Sequence, residues 1–398
     1  MAAARTIVVA GAGIGGLTAA LALAAYGYRV VILEKVERLE EAGAGLQLSP
    51  NATRILIDLG LRERLAARAV TPDAIAIMST QRGGEIARLP LGEAASRAAA
   101  PYWVLHRADL QSALQAAVEA HPAIELRLGW AFEDVAAHAE GVTVTHRSST
   151  ARRQETALAL IGADGVWSAV RQRLFPEWQP EFSGLVAWRG TIDATQLPRD
   201  RSADQVELWM GAQAHLVAYP ISGARRINVV AIARGSWNAP GWSVPGDGLE
   251  ISGAFAPRHW PEAARTMIAA VDTWRKWGLF TVRDRGEWCS GAAALLGDAA
   301  HAMLPFAAQG AAMAIEDAAV LAKCLGGTGD NPPAVAAALQ RYSALRRPRV
   351  ARMQRAAFWN AKIYHLRGAA ALARDVFIRA MGPERMLARQ HWIYDWRA

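Results

Sequence analysis

The sequence predicts an α/β chain: a Rossmann-like nucleotide-binding domain, a β-rich domain inserted into it, and a helical C-terminal region. Three observations carry that expectation. The first 35 residues read strand, glycine turn, helix, strand. Residues 182–281 read as short strands separated by Pro and Gly, and residues 334–398 are rich in Ala and Arg with helical composition. At 398 residues the chain has room for about two domains. The expected division assigns 1–73, 101–181 and 282–398 to the nucleotide-binding domain with its C-terminal helices. It assigns 74–100 and 182–281 to the β-sheet domain.

Each element follows from local pattern. Arg5–Ala10 is an apolar, β-branched run suited to a parallel strand buried on both faces. Gly11–Gly16 interrupts it, Leu17–Tyr26 has helical composition, and Tyr28–Leu33 is a second strand. Residues 51–69 predict one helix, with apolar positions at Ile55, Leu56, Leu59 and Leu65. Ile75–Leu89 alternates around Arg82-Gly83-Gly84 and predicts a hairpin. A helix over Arg107–Ala120 leads into short strands up to Ile161. The β-rich segment contains Leu185–Ile192, Gln205–Met210, His215–Tyr219 and Ile227–Ala233. A buried strand follows at Ala292–Gly297, then a helix over Gly310–Leu325 and a loop at Gly326–Pro333.

Composition narrows the function. Apolar runs such as Ile7–Ala10 are far shorter than the ~20 residues needed to span a bilayer, so no membrane span is expected. Met1–Leu23 is apolar with one early arginine, but Gly11, Gly13, Gly15 and Gly16 would break a signal-peptide helix. Cys289 and Cys324 form neither a disulfide framework nor a metal-ligand spacing, which makes a reduced cytoplasmic setting the default and a metal site unexpected. The formal charge of +8 comes from arginines scattered along the chain, without a block of like charges, so nucleic acid is not an expected partner. That field suits anionic ligands instead. Most of the fifteen tryptophans are expected at core and interface positions, with some as candidates to line an aromatic pocket.

The glycine turn is the first motif with chemistry. Gly11-Ala12-Gly13-Ile14-Gly15-Gly16 follows a strand and opens a helix, and Glu34-Lys35 ends the next strand. In that context Gly11 makes the turn, Gly13 lets a pyrophosphate approach the backbone, and Gly16 lets helix and strand pack closely. Unpaired N–H groups at the helix N-terminus face the phosphates, and Glu34 is placed to accept hydrogen bonds from a ribose. Taken alone, the turn is compatible with either FAD or NAD.

Two later segments bear on that choice. Residues 297–318, GDAAHAMLPFAAQGAAMAIEDA, and residues 162–171, GADGVWSAVR, stand in order after the glycine turn. With it they resemble the GD and DG motifs of class A flavoprotein monooxygenases, single-component FAD-dependent aromatic hydroxylases. The resemblance implies FAD as cofactor. It places Gly11, Gly13, Gly15, Gly16, Glu34, Lys35, Arg107, Asp164, Asp298, Pro305, Gly310 and Ala311 around it. Asp298 would hold ribityl hydroxyls, Pro305 would border the ring, and the helix from Gly310 would point its positive end at the reduced flavin. Arg107, in HRADL, resembles the family's arginine near the diphosphate, and Asp164 and Arg171 are expected to pair beneath the flavin. The commoner family pattern Gly-Gln-Gly is here Ala308-Gln309-Gly310. No second GxGxxG follows a strand, which matches a family that binds NADH or NADPH only transiently.

The β-rich segment holds the candidate chemistry. His215 and Tyr219 stand four apart and share a strand face. His-x-x-x-Tyr-Pro resembles the salicylate, 3-hydroxybenzoate and 6-hydroxynicotinate hydroxylase group, whose matching histidine helps deprotonate a phenol. Imidazole suits that task because it titrates near neutrality. Gln309 is a candidate contact to substrate or flavin, and Arg189, Arg225 and Arg226 are candidates for a substrate carboxylate, although surface positions are the commoner fate of arginine. His301 reads as structural. The resemblance thus implies NAD(P)H-driven hydroxylation of a small aromatic acid by dioxygen through a flavin C4a-hydroperoxide, in a monomer or homodimer. A reductase or dehydrogenase of the same fold, and a non-catalytic flavin-binding protein, are the competing readings.

Overall fold

A computed structural model describes residues 5–39, 45–81, 84–196, 204–239, 241, 243–284 and 286–398. The buried run Thr6–Ala10 is the centre of a six-stranded sheet. Arg29–Glu34 and then Ile124–Leu128 lie on one side of it, and Ala159–Gly162, Ala293–Leu295 and Cys289–Ser290 on the other. All neighbours are parallel except the last two, which form a short hairpin. Helix Ile14–Ala25 crosses from the first strand to the second and packs against Gly310–Leu325 and Arg107–Glu119. This is a Rossmann-like arrangement, with the glycine turn at the carboxyl end of its first strand.

An eight-stranded sheet carries the other half of the molecule. Its order is Ser243–Gly246, Trp274–Thr281, Glu181–Asp193, Arg226–Arg234, Ala214–Ile221, Gln205–Gly211, Ala74–Ser79 and Gly84–Pro90. Every pairing is antiparallel except that between Gln205–Gly211 and Ala74–Ser79. The hairpin from early in the chain thus completes a sheet made mainly from its middle. Trp188, Trp209, Trp260 and Trp274 pack with Phe255 in a core on one face of that sheet. Three further strands, Ala131–His138, Gly141–Arg147 and Arg152–Ala157, form a separate antiparallel sheet.

Some expectations change. Residues 51–69 form two helices, Pro50–Asp58 and Arg62–Ala66, because Gly60 adopts φ +82° between them. Helices Gly248–Ala254 and Glu262–Ala269 interrupt the stretch expected to be mostly strand. The C-terminal region folds as Pro332–Tyr364, Gly368–Ala388 and His391–Tyr394, with a kink at Gly382-Pro383. The Arg82-Gly83 part of the hairpin turn lies outside the described residues. Among the described residues no helix is long and apolar enough to cross a membrane, and no cluster of His, Cys, Asp or Glu could hold a metal ion.

Candidate active site

A cavity of about 280 Å³ lies between the two large sheets. One wall is made by the N-terminal ends of two helices: Gly13, Ile14 and Gly15 from the first, Gly310 and Ala311 from Gly310–Leu325. Neither helix has a side-chain cap. Their first N–H groups and positive dipole ends are therefore open to an anionic ligand.

The glycines of the turn divide the work. Gly11 has φ +105°, and a Cβ there would lie 2.5 Å from the Ala163 carbonyl oxygen. A Cβ on Gly16 would lie 1.9 Å from the Gly11 oxygen, and one on Gly15 would meet Leu296 at 2.8 Å. Those three hold the turn closed. Gly13 is different: a Cβ there would meet nothing within 4 Å, so its face opens onto free space. Glu34 braces the same turn, accepting hydrogen bonds from Ala12 N at 2.8 Å and Val36 N at 3.1 Å. A carboxylate has lone pairs left over for a ribose. Lys35 is exposed and is not part of the cavity wall.

Arg107, Asp298 and Pro305 line the cavity as well. Arg107 begins the helix Arg107–Glu119, which places its charge beside the two helix N-termini. Asp298 begins Asp298–His301, and among the described residues its carboxylate has no hydrogen-bond or ion-pair partner. An unpaired carboxylate fits sugar-alcohol hydroxyls, and the helix ends with Arg107 fit a diphosphate. These residues fit FAD.

Two expectations about this region are corrected. The Asp164–Arg171 pair does not form. The Asp164 carboxylate accepts from Ser168 Oγ and from Val170 N at 3.1 Å, which starts the helix Ala169–Leu174. Burial raises that carboxyl above its usual range despite those hydrogen bonds. Arg171 donates instead to the carbonyls of Val166, Trp178 and Ala299, at 2.5, 3.0 and 2.8 Å. Nor does Gln309 reach into the cavity. Its amide donates to Ser49 Oγ at 2.7 Å and accepts from Asn51 Nδ2 at 3.2 Å, so it ties the Pro305–Gly310 loop to the Pro50–Asp58 helix. Ala308, in the position where glycine is commoner in the family, has φ +51°.

The strand Ala214–Ile221 forms the opposite wall. His215, Val217 and Tyr219 all line the cavity, as period-two alternation requires. His215 is 1% exposed, and burial, aided by His365, holds its imidazole well below the ordinary range. Burial likewise pushes the Tyr219 phenol up. Arg189, on Glu181–Asp193, lines the same cavity; its Nε is buried without a partner and its guanidinium lies 5.3 Å from the Trp277 ring centre. Burial draws Arg189 below its usual range, and Arg107 acts in the same direction. Arg225 and Arg226 lie elsewhere, bonded to Ser222 O and Thr191 Oγ1. Among the described residues no tryptophan lines the cavity.

Behind the flavin wall is a buried ionic network that the sequence does not announce. His301 Nε2 lies 2.6 Å from Asp317 Oδ2, which also accepts from Gly297 N at 3.1 Å. Arg346 bonds Asp317 at 2.6 Å and Glu316 at 2.8 Å; Arg349 bonds Glu316 at 2.6 Å, and Asn51 donates to it at 2.7 Å. Burial alone would raise the Asp317 carboxyl, but His301 and Arg346 hold it below its usual range. The network fastens the Gly297-Asp298 turn to the C-terminal helix Pro332–Tyr364.

Comparison with known proteins agrees with this geometry. The description "FAD binding domain" matches residues 4–357. The chain is 36% identical to a 3-amino-4-hydroxybenzoate 2-monooxygenase of Streptomyces cremeus, over 98% of this chain and 94% of the relative. It is 34% identical to a 3-hydroxybenzoate 6-hydroxylase of Klebsiella oxytoca, over 100% and 98%. Among solved structures it resembles a salicylate hydroxylase substrate complex, with TM-score 0.83 and 23% identity over 99% of this chain and 96% of that one, which speaks to the fold. The chain belongs to the FAD binding domain family, among its flavoprotein aromatic hydroxylases.

Proposed function

We propose that the chain hydroxylates a small aromatic acid bearing a phenolic or heteroaromatic hydroxyl, using FAD, NADH or NADPH, and dioxygen. One observation carries the reading. A single cavity joins a flavin-type wall, built from two uncapped helix N-termini and Asp298, to a wall bearing His215, Tyr219 and Arg189. Bound FAD supplies the two-electron reduction by nicotinamide and the activation of oxygen. The protein supplies binding, orientation and proton handling. Gly13, Arg107, Asp298, Gly310 and Ala311 are the FAD contacts, Glu34 takes the ribose, and Asp164 shapes the turn behind it. Gln309 acts by holding the loop between Pro305 and Gly310. The segments 74–100 and 182–281 are the substrate-side domain, and the remainder is the FAD domain.

On the substrate side, Arg189 pairs with the carboxylate: it is a cation in the wall with an unsatisfied N–H, and Arg107 adds positive field. Among the described residues His215 Nε2 has no partner, and it accepts the ring hydroxyl's proton, because the phenolate is more electron-rich toward an electrophilic oxygen. Tyr219, four residues and so roughly 13 Å further along the strand, faces the part of the cavity near Arg189. Val217, Val230, Ile232, Leu296 and Met303 keep water out of the space between. The relatives' names, 3-hydroxybenzoate and 3-amino-4-hydroxybenzoate, each describe a phenol with a carboxylate, which supports this pairing of groups. The same reading has the enzyme working in the cytoplasm as a monomer or homodimer.

The test is NADH and NADPH oxidation by FAD-loaded protein across a panel of hydroxylated aromatic acids, with oxygen uptake and product mass recorded together. A product gaining one oxygen, or exchanging carboxyl for hydroxyl, is expected. No stimulation and no oxygen uptake with any acid would move the function to a reductase of this fold.

A further inference from the structure

We propose that His215 and His365 form a two-imidazole relay that carries the hydroxyl proton of a bound hydroxyarene out of the cavity to solvent. The inference rests on the hydroxyarene reading above and adds to it a residue and a route. His215 Nδ1 lies 2.9 Å from His365 Nε2, a direct ring-to-ring hydrogen bond between residues 150 apart in sequence. His215 is sealed at the cavity wall, whereas His365 is half-buried at the C-terminus of Pro332–Tyr364, and its Nδ1 has no hydrogen-bond partner among the described residues.

Aromatic rings surround the pair. Phe306 packs 4.6 Å from the His215 ring and 5.5 Å from the His365 ring; Tyr364 lies 5.6 Å from His215. Asn360 Nδ2 and Tyr364 Oη both donate to the Phe306 carbonyl, at 3.0 and 3.3 Å, so this aromatic collar is fastened in place. Neither ring pairs with a carboxylate among the described residues. The titratable and charged groups around the pair include Tyr364 beside it, Arg234 from the neighbouring strand, Arg374, paired with Asp375, at the Tyr364 carbonyl, and Tyr219 and Arg189 on the same cavity. None of them stabilises an imidazolium. Burial, with His365 adding to it, holds His215 well below the ordinary range, and burial with Arg234 brings His365 down to about 4. A proton taken up at His215 is therefore passed on rather than stored.

The step balances with both rings neutral before and after. At rest His215 carries its proton on Nδ1 and donates it to His365 Nε2, and His365 carries its own on Nδ1. The substrate O–H breaks and its proton bonds to His215 Nε2. The His215 Nδ1–H breaks as His365 Nε2–H forms, and the His365 Nδ1–H passes to water. The products are a phenolate, one hydronium equivalent and both imidazoles in their other tautomers. His365 touches no substrate and is a positioning residue that acts through His215.

The test uses FAD-loaded enzyme mixed rapidly with 3-hydroxybenzoate, 3-amino-4-hydroxybenzoate or 6-hydroxynicotinate, whichever perturbs the flavin spectrum. Ligand ionisation is followed by absorbance and proton release by an indicator dye. In wild-type enzyme the ionisation rate plotted against deuterium fraction is expected to bow, because more than one proton is in flight; a straight line overturns the relay. The variant His365→Phe is expected to bind the ligand within about threefold of wild type while ionising it at least ~10-fold more slowly. Added imidazole is expected to recover part of the rate. An unchanged rate, or a slow rate that imidazole leaves alone, overturns the proposal. Should His365→Phe not fold, the wild-type isotope plot still decides. If none of the three acids perturbs the flavin, the hydroxyarene reading falls and the relay with it; binding with unaltered ionisation in the variant removes the relay alone.

Discussion

Replacing Arg189 by methionine separates what the cavity does for ligand from what it does for folding. Among the described residues the arginine's side chain meets little more than the Trp277 ring at 5.3 Å, and its Nε is buried unpaired. Losing a cation–π contact costs ~0.5–1 kcal/mol. Relieving a desolvated, unpaired charge offsets it, so ligand-free stability should shift by less than ~1 kcal/mol. Binding should respond far more. A charged hydrogen bond contributes ~1.5–3 kcal/mol, and truncating one partner of a buried charge pair costs ~2–5 kcal/mol. Arg107 lies near enough to affect Arg189 electrostatically and will compensate in part. A loss of about 2–3 kcal/mol follows, which is roughly a 30- to 150-fold rise in Kd. The assay is flavin-absorbance titration with 3-hydroxybenzoate and, in parallel, with phenol, which lacks the carboxylate. Phenol should bind both proteins within about threefold. Equal weakening for the two ligands, or none for the acid, would refute the carboxylate role of Arg189.

Four further outcomes are expected. Gly13→Ala should leave apoprotein melting within a degree or two, since its Cβ meets nothing, yet weaken FAD retention at least ~10-fold by occupying the pyrophosphate's approach; gel filtration with flavin absorbance measures both. Arg346→Met should cost about 3 kcal/mol in urea unfolding, the low end for breaking a buried pair, because Arg349 and His301 remain on Glu316 and Asp317. The same network makes stability acid-sensitive: Asp317's folded pKa is depressed, so its contribution is present above the ordinary carboxylate value near ~4 and is lost as pH falls through the folded value. Urea midpoints from pH 6 downward should therefore fall more steeply for wild type than for Asp317→Asn. Ala308→Gly removes left-handed strain of ~1–2 kcal/mol and adds unfolded-chain entropy of ~0.4–1 kcal/mol, so the melting temperature should stay level or rise slightly.

What could be read from the sequence was whatever local spacing encodes. The Gly11–Gly16 turn announces itself because its glycines fall at fixed short spacing between a strand and a helix, with Gly11 and Gly16 answering contacts within the turn or to the adjacent strand. His215 and Tyr219 are legible because alternation alone puts them on one face with Val217. His365 is not, because it reaches His215 only after a 33-residue helix folds back over the sheet. Arg346 and Arg349 sit in an arginine-rich helix that reads as a solvated face, and nothing in its period marks the buried Arg346 on Glu316 and Asp317 or the half-buried Arg349 on Glu316. The direction of Gln309 depends on the turn at Ala308, and the Arg171 carbonyl fork depends on where Trp178 and Ala299 arrive. Charge pairing was the simpler guess for Arg171, but three carbonyls satisfy its planar donors without a second buried charge.

The parallel pairing of Ala74–Ser79 with Gln205–Met210 has a consequence for how the chain matures. Strand 159–162 of the other large sheet emerges from the ribosome between those two segments, and its partner at 293–295 emerges after both. Each sheet thus waits on residues that lie beyond a piece of the other, and the six-stranded sheet closes only after every strand of the eight-stranded one has been made. Closing two interleaved loops of more than a hundred residues is slow, since distant contacts must repay loop entropy before they stabilise anything. Once both are shut, each locks the other. Calorimetry should record one transition rather than two, and a protease cut anywhere between the sheets should release no fragment that stays folded on its own.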